Sequence, residues 1–154
     1  MRKLTRRFII NSLNNINLSK PIQYERYYIN DELRIQKKNN IYKKEILDNN
    51  NNVIKKGEIS KNEFDILKDK AYSKIIRNSY LYLDDNRVSI KEYLDKYHGL
   101  LRAEVTFSTE KEKENYIKEK WMGKEITHSP LAFDKYLSKL SIEEFNKELK
   151  KYIN

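Results

Sequence analysis

The sequence lacks cysteine altogether and is poor in the residues that break or bend a chain, with three glycines and two prolines in 154 residues. Without cysteine there can be no disulfide and no thiolate metal site. Two histidines argue against a histidine-rich metal centre. No apolar run approaches the roughly 20 residues of a membrane-crossing helix. Phe8-Ile9-Ile10, behind a basic start, is too short for the apolar region of a signal peptide. A soluble, cytoplasmic protein without membrane contact is expected. The length suits one domain, 1–154, with a real core.

Basic charge and tyrosine are abundant. The formal net charge is +9, and there are 12 tyrosines against one tryptophan. Excess positive charge favours anionic partners, from nucleotides and polyphosphate to nucleic acid. Taken alone, it is also what a solvated lysine-rich surface would show. Tyrosine fits strands and cores.

Short alternating segments joined by asparagine-rich turns run through the first two thirds of the chain. Strands are expected over Lys3 to Ile9, Gln23 to Ile29, Leu33 to Lys38, Ile41 to Leu47 and Val53 to Ile59. Asn39-Asn40 and the run from Asp48 to Asn52 supply the turns, since asparagine tolerates positive φ. Ser60 with Glu63 caps a helix carrying Phe64, Leu67 and Ala71. Strands resume over Ser73 to Leu83 and Arg87 to Leu94. His98-Gly99 leads to a further strand in which Leu101, Ala103, Val105 and Phe107 alternate with polar residues. Thr109 with Glu112 caps a charged helix reaching about Lys120, and Ser129-Pro130 opens another helical turn. Ser141 with Glu144 starts a last helix, in which Ile142, Phe145, Leu149 and Tyr152 recur at helical spacing. The expected class is α+β: a closed eight-stranded antiparallel β-barrel with flanking and C-terminal helices.

The C-terminal third carries a specific pattern. Ala103-Glu104-Val105-Thr106 lies on a strand, an acidic helix follows, then come Trp121-Met122-Gly123-Lys124-Glu125-Ile126-Thr127 and Asp134 to Leu137. This order resembles the A-E-x-E strand, acidic helix, W-L-G-x-E-V-T element and final helix of the CYTH domains, the triphosphate tunnel metalloenzymes. Strand order and spacing are similar over nearly the whole chain, with Phe8, Leu33-Arg34-Ile35 and Ile59 to Phe64 at matching places. The resemblance implies a tunnel whose basic lumen holds a polyphosphate. In the family, carboxylates there bind Mg²⁺ or Mn²⁺ and so activate water. Hard cations need carboxylate oxygens, and phosphoryl transfer needs charge neutralisation and an oriented nucleophile.

Matched residue by residue, this sequence keeps the basic half of that pattern. Arg7 stands at the lysine of E-x-E-x-K, Arg34 at the arginine of V-R-I, and Lys44 at the lysine of T-x-K, a register that can slip by one. Arg77 stands at the lysine of x-K-x-R-Y, and Ser79 replaces its arginine. The acidic half is depleted. The first-strand glutamates become Lys3 and Thr5, those of R-x-E-x-E fall near Ile54 and Lys56, the aspartate of E-I-D becomes Lys91, and the last glutamate becomes Thr106. Glu104 survives, and Glu25, Glu45 and Glu58 enter the lumen if the register differs. The expected phosphate ligands are thus Lys3, Arg7, Arg34, Lys44, Arg77 and Lys91. Thr5, Arg102, Glu104 and Thr106 also face the lumen. No resident metal or cofactor is expected. His98 and His128 are expected to be structural or exposed.

These features are compatible with three functions. The first is a tunnel that binds a nucleotide, cyclic nucleotide or oligophosphate without metal-dependent hydrolysis, as a nucleotide-signal sponge or sensor. The second is an active metal-dependent triphosphatase or adenylyl cyclase using Mg²⁺ or Mn²⁺, with Glu104 catalytic. The third is a scaffold or inhibitor binding protein or nucleic acid through a basic exterior.

Overall fold

A computed structural model describes residues 4–153. The strands are β1 (Leu4–Ile10), β2 (Ile22–Tyr28), β3 (Leu33–Lys38), β4 (Ile41–Leu47), β5 (Val53–Ile59), β6 (Ser73–Leu81), β7 (Val88–Tyr93), β8 (Leu101–Phe107) and β9 (Met122–Glu125). The helices are α1 (Lys61–Lys68), α2 (Glu110–Asn115), α3 (Asp134–Leu137) and α4 (Ile142–Lys150). Local chemistry sets many of the boundaries. Asn39 and Asn51 adopt positive φ in their turns, the conformation that asparagine tolerates. The hydroxyls of Ser60, Thr109 and Ser141 accept hydrogen bonds from the third residue on, capping α1, α2 and α4. At Ser141 the box is complete, because Glu144 answers the Ser141 N–H.

Helix α2 stops at Asn115 rather than running to Lys120. Tyr116 leaves the helix in an extended conformation and packs its ring against Phe107 and Phe8, with centroids 5.3 and 6.1 Å away. Burial of an aromatic side chain overrides the helix propensity of the charged residues beyond it.

All the strands form one antiparallel sheet in the order β5-β4-β3-β2-β6-β7-β8-β1-β9. The expectation of eight strands closed into a barrel is corrected here. The W-M-G-K-E stretch supplies a ninth strand on the free side of β1. Among the described residues no ladder joins β9 to β5. Gly123 makes the approach of β9 possible: a Cβ there would lie 2.7 Å from Ile9 Cγ2 and 3.1 Å from the Ile9 carbonyl oxygen. At the other edge, β5 is mostly exposed and carries Lys55 and Lys56, charges that discourage pairing with another chain. No described helix is long and apolar enough to cross a membrane.

The two faces of the sheet differ. Outward-facing residues pack under helices and loops: Tyr27, Ile35 and Tyr42 meet Phe64 of α1, and Phe8, Ile90, Ala103 and Val105 gather with Trp121 and Tyr116. On the other face, called the inner face here, one end is apolar. Ile9, Tyr28, Leu47, Ile75 and Tyr93 form a cluster with Leu131, Leu137, Phe145 and Leu149. The C-terminal segment is thereby folded over that end.

Candidate functional site

Strand register decides which side chains share the inner face, because alternate residues point the same way. The pairs Arg7↔Glu104, Lys91↔Arg102, Ser79↔Lys91, Arg77↔Tyr93, Tyr24↔Arg77, Arg26↔Gln36 and Arg34↔Glu45 place these residues in one belt across seven strands. Arg7, Arg34, Arg77 and Arg102 are all buried. Burying so many guanidinium groups requires counter-charge.

Much of that counter-charge comes from Asp134, the first residue of α3. One carboxylate oxygen accepts from Arg26 Nη1 and Arg77 Nε, both at 3.0 Å. The other accepts from Arg102 Nη2 at 3.2 Å and from the Tyr93 hydroxyl. Burial alone would raise the Asp134 pKa. Arg77, Arg26, Arg102 and the Tyr93 hydroxyl hold it well below the usual carboxylate range. Next to it, Phe133 lies under the Arg7 guanidinium, 4.4 Å from ring centroid to Cζ.

Two further ion pairs line the belt. Arg7 Nη2 donates to Glu104 at 2.6 Å, and Arg7 Nη1 donates to the Thr5 hydroxyl at 2.7 Å. Arg34 Nε donates to Glu45 at 3.0 Å. Burial opposes ionisation of Glu104, but Arg7, Arg102, Lys91 and Arg77 outweigh it and hold the pKa at about 2. The balance still favours cations: Arg7, Arg26, Arg34, Arg77, Lys91 and Arg102 face Glu45, Glu104 and Asp134. Arg102 Nη1 and Arg7 Nε are buried without a hydrogen-bond partner among the described residues.

At the other end the belt opens into a cavity of about 490 Å³ lined by Lys91, Ser79, Ser89, Tyr24, Lys38 and Lys20, among others. Among the described residues Lys91 Nζ makes one hydrogen bond, to the Ser79 hydroxyl at 3.2 Å. Among the described residues no carboxylate forms an ion pair with it. Burial, then Arg77, lower its pKa to about 7.

These positions can be set against the sequence expectations. Arg7, Arg34, Arg77, Lys91, Arg102, Glu104, Thr5 and Thr106 share the inner face by register, with Thr106 exposed toward its edge. Lys3 lies outside the described residues. Lys44 is corrected. It pairs with Ile35 on the opposite face, and its amine reaches Glu63 of α1 at 3.4 Å. The side chain of Glu63 is thus turned toward Lys44, and Lys43 takes the inner position opposite Glu58. Of the carboxylates left open, Glu45 and Glu58 fall on the inner face, whereas Glu25 accepts from Tyr27 on the other. His98 and His128 are both exposed.

Sequence reasoning missed Arg26, Tyr93 and the role of Asp134. Arg26 alternates with Tyr24 and Tyr28 on β2, a signal that could have found it. Nothing local marks Asp134, whose partners lie 32 to 108 residues away.

The buried carboxylates do not suit a hard divalent ion. Such an ion needs several carboxylate oxygens free to converge on it. Here Glu104, Glu45 and Asp134 are each held by guanidinium groups. Among the described residues no three His, Asp or Glu side chains are grouped to hold a metal.

The sheet and its covering helices match a fold already seen in solved structures. Structural comparison matches the crystal structure of the inorganic triphosphatase NE1496 with a TM-score of 0.74 at 17% identity, over 92% of this chain and 97% of that one. A second crystal structure, described as the hypothetical protein NE1496, matches with the same score and identity over 91% and 99%. At this identity the likeness shows a CYTH-like fold and nothing about activity. No protein-family profile and no curated protein matches the sequence.

Proposed function

We propose that the inner face binds a phosphorylated anion, a nucleotide, cyclic nucleotide or oligophosphate, in a basic lumen, and that it does so without metal-dependent hydrolysis. The observation that carries this reading is the excess of buried cations over carboxylates, with Arg102 Nη1 buried and unpartnered among the described residues. A buried guanidinium N–H without an acceptor is costly. A phosphate oxygen is the acceptor whose charge and geometry suit it. The fold shared with a triphosphatase supports the phosphate class. Hydrolysis is left out of the proposal because the residues at the family's ligand positions are Thr5, Lys91 and Thr106, and Glu104 is tied to Arg7. A protein that binds such an anion without consuming it acts as a sponge or a sensor.

Thermal-shift titration tests this, with tripolyphosphate, nucleoside triphosphates and cyclic nucleotides, each with and without EDTA. The expected result is stabilisation by at least one of them, unchanged by EDTA, with no phosphate released in the presence of Mg²⁺ or Mn²⁺. Failure of every anion to stabilise the protein overturns the reading. Metal-dependent phosphate release abolished by Glu104→Gln replaces it with an enzymatic one.

A further inference from the structure

Lys91 differs from the other cations of the belt in chemistry as well as in partners. It lines an open cavity, and an amine, unlike a guanidinium, is a nucleophile once it loses its proton. The groups facing it are Arg77 and Ser79 on β6, Arg102 and Glu104 on β8, and Arg26 on β2. Three of these are guanidinium groups, and the one carboxylate among them is held by Arg7 at 2.6 Å. Among the described residues the Nζ atom has one hydrogen-bond partner, the Ser79 hydroxyl. Cationic surroundings and desolvation together are the established means of activating a lysine amine.

The cavity around it combines two further features. Lys20 and Lys38 lie on its wall, two cations in addition to Lys91. Ile22, Tyr24 and Leu81 give it an apolar side. At about 490 Å³ it can hold a small organic molecule.

We infer that Lys91 is a reactive amine that captures small phosphorylated aldehydes as imines, with the phosphate anchored on the lysines of the same cavity. The step balances without any further reagent. The neutral Nζ attacks the carbonyl carbon, the C=O electron pair moves to oxygen, and one proton passes from the nitrogen to that oxygen. The hydroxyl then leaves as water with the second proton from the nitrogen, whose electron pair forms the C=N bond. Ordinary lysine is almost wholly protonated at neutral pH, whereas here the pKa of about 7 leaves a large share of the amine neutral. The gain in neutral fraction is partly offset by lower intrinsic nucleophilicity, so roughly tenfold selectivity over surface lysines is expected.

This inference rests on the proposed anion site only for the phosphate anchor. The test treats the full-length protein with pyridoxal phosphate or pyridoxal at pH 7.5, reduces with borohydride and maps the labelled lysines by mass spectrometry. The expected result is preferential labelling of Lys91, roughly tenfold over surface lysines, faster with the phosphate ester and slowed by tripolyphosphate. Lys91→Arg, which keeps the charge but not the nucleophile, should lose this label while retaining the wild-type circular dichroism spectrum. Labelling spread evenly over the surface overturns the inference, even if tripolyphosphate stabilises the protein. Equal rates for the two aldehydes overturn the phosphate anchor. Failure of all phosphates in the thermal-shift titration, with Lys91 still selectively labelled by pyridoxal, overturns the anion-binding reading and leaves the reactive amine standing.

Discussion

The two ends of the inner face hold cations in opposite ways. At the Asp134 end, Arg26, Arg77 and Arg102 converge on one carboxylate supplied by α3, and the C-terminal segment covers what lies beyond. At the Lys91 end the amine lines an open cavity together with Lys20 and Lys38, with the Ser79 hydroxyl as its hydrogen-bond partner. At one end the chain supplies a shared counter-charge, and at the other, among the described residues, no carboxylate pairs with the amine. On the anion-binding proposal, a carboxylate among arginines is the chain's own version of what a phosphate would do there, and the Lys91 end is where an incoming anion is expected.

The largest test of this contrast is to empty the neutralised end. Asp134→Ala leaves three guanidinium groups without their shared partner and should cost about 3–5 kcal/mol, read by denaturant unfolding. Tripolyphosphate should then stabilise the variant more than the wild type, because an added anion replaces the lost carboxylate. Wild-type stability in this variant would show that the arginines are neutralised elsewhere.

Next comes the open end. Lys91→Met should weaken tripolyphosphate binding roughly tenfold at pH 6.5, about 1.4 kcal/mol, measured by calorimetry. The pH dependence follows from the lowered pKa. Folding disfavours the protonated amine, so ligand-free stability should rise between pH 7 and 10.5, where the unfolded chain binds more protons. Anion affinity should fall over the same start of the range as the amine loses its charge. Lys91→Met should lack both trends.

A smaller effect is expected at Glu104, which belongs to neither extreme. Its folded pKa of about 2 lies below the ordinary value of 4.5. The stability it contributes is therefore present above pH 4.5 and lost as pH falls toward 2. The difference in stability between wild type and Glu104→Gln should shrink over that window. Smallest of all, Lys44→Met removes a pair that is nearly half exposed on both sides. It should cost less than about 1 kcal/mol and leave anion binding unchanged. A large loss of binding would put Lys44 back on the inner face.

Much of the fold was legible because its signals are local. Alternation marked β1 to β8, asparagines marked the turns, and Ser60, Thr109 and Ser141 marked helix starts. The end of α2 was not legible, because Tyr116 leaves the helix to pack on Phe107 and on Phe8, the second of which lies on β1 at the far end of the sequence. Lys44 failed for another reason. Lys43 and Lys44 are adjacent and chemically alike, and a shift of one residue moves a side chain through the sheet.

What the sequence determined by itself is the set of charges. The resemblance put Arg7, Arg34, Arg77 and Arg102 on one lumen face, with Thr5, Lys91 and Thr106 where it led one to expect acids. What the tertiary structure decided is which charges answer one another. Asp134, 32 residues beyond Arg102 and 108 beyond Arg26, satisfies one end only because α3 folds across the sheet. Among the described residues Lys91 has no ion-pair partner, and Glu104, the carboxylate that acts on it from the adjoining strand, is held by Arg7. Electrostatic pairing acts through space over a few ångströms, and distance along the chain does not record it.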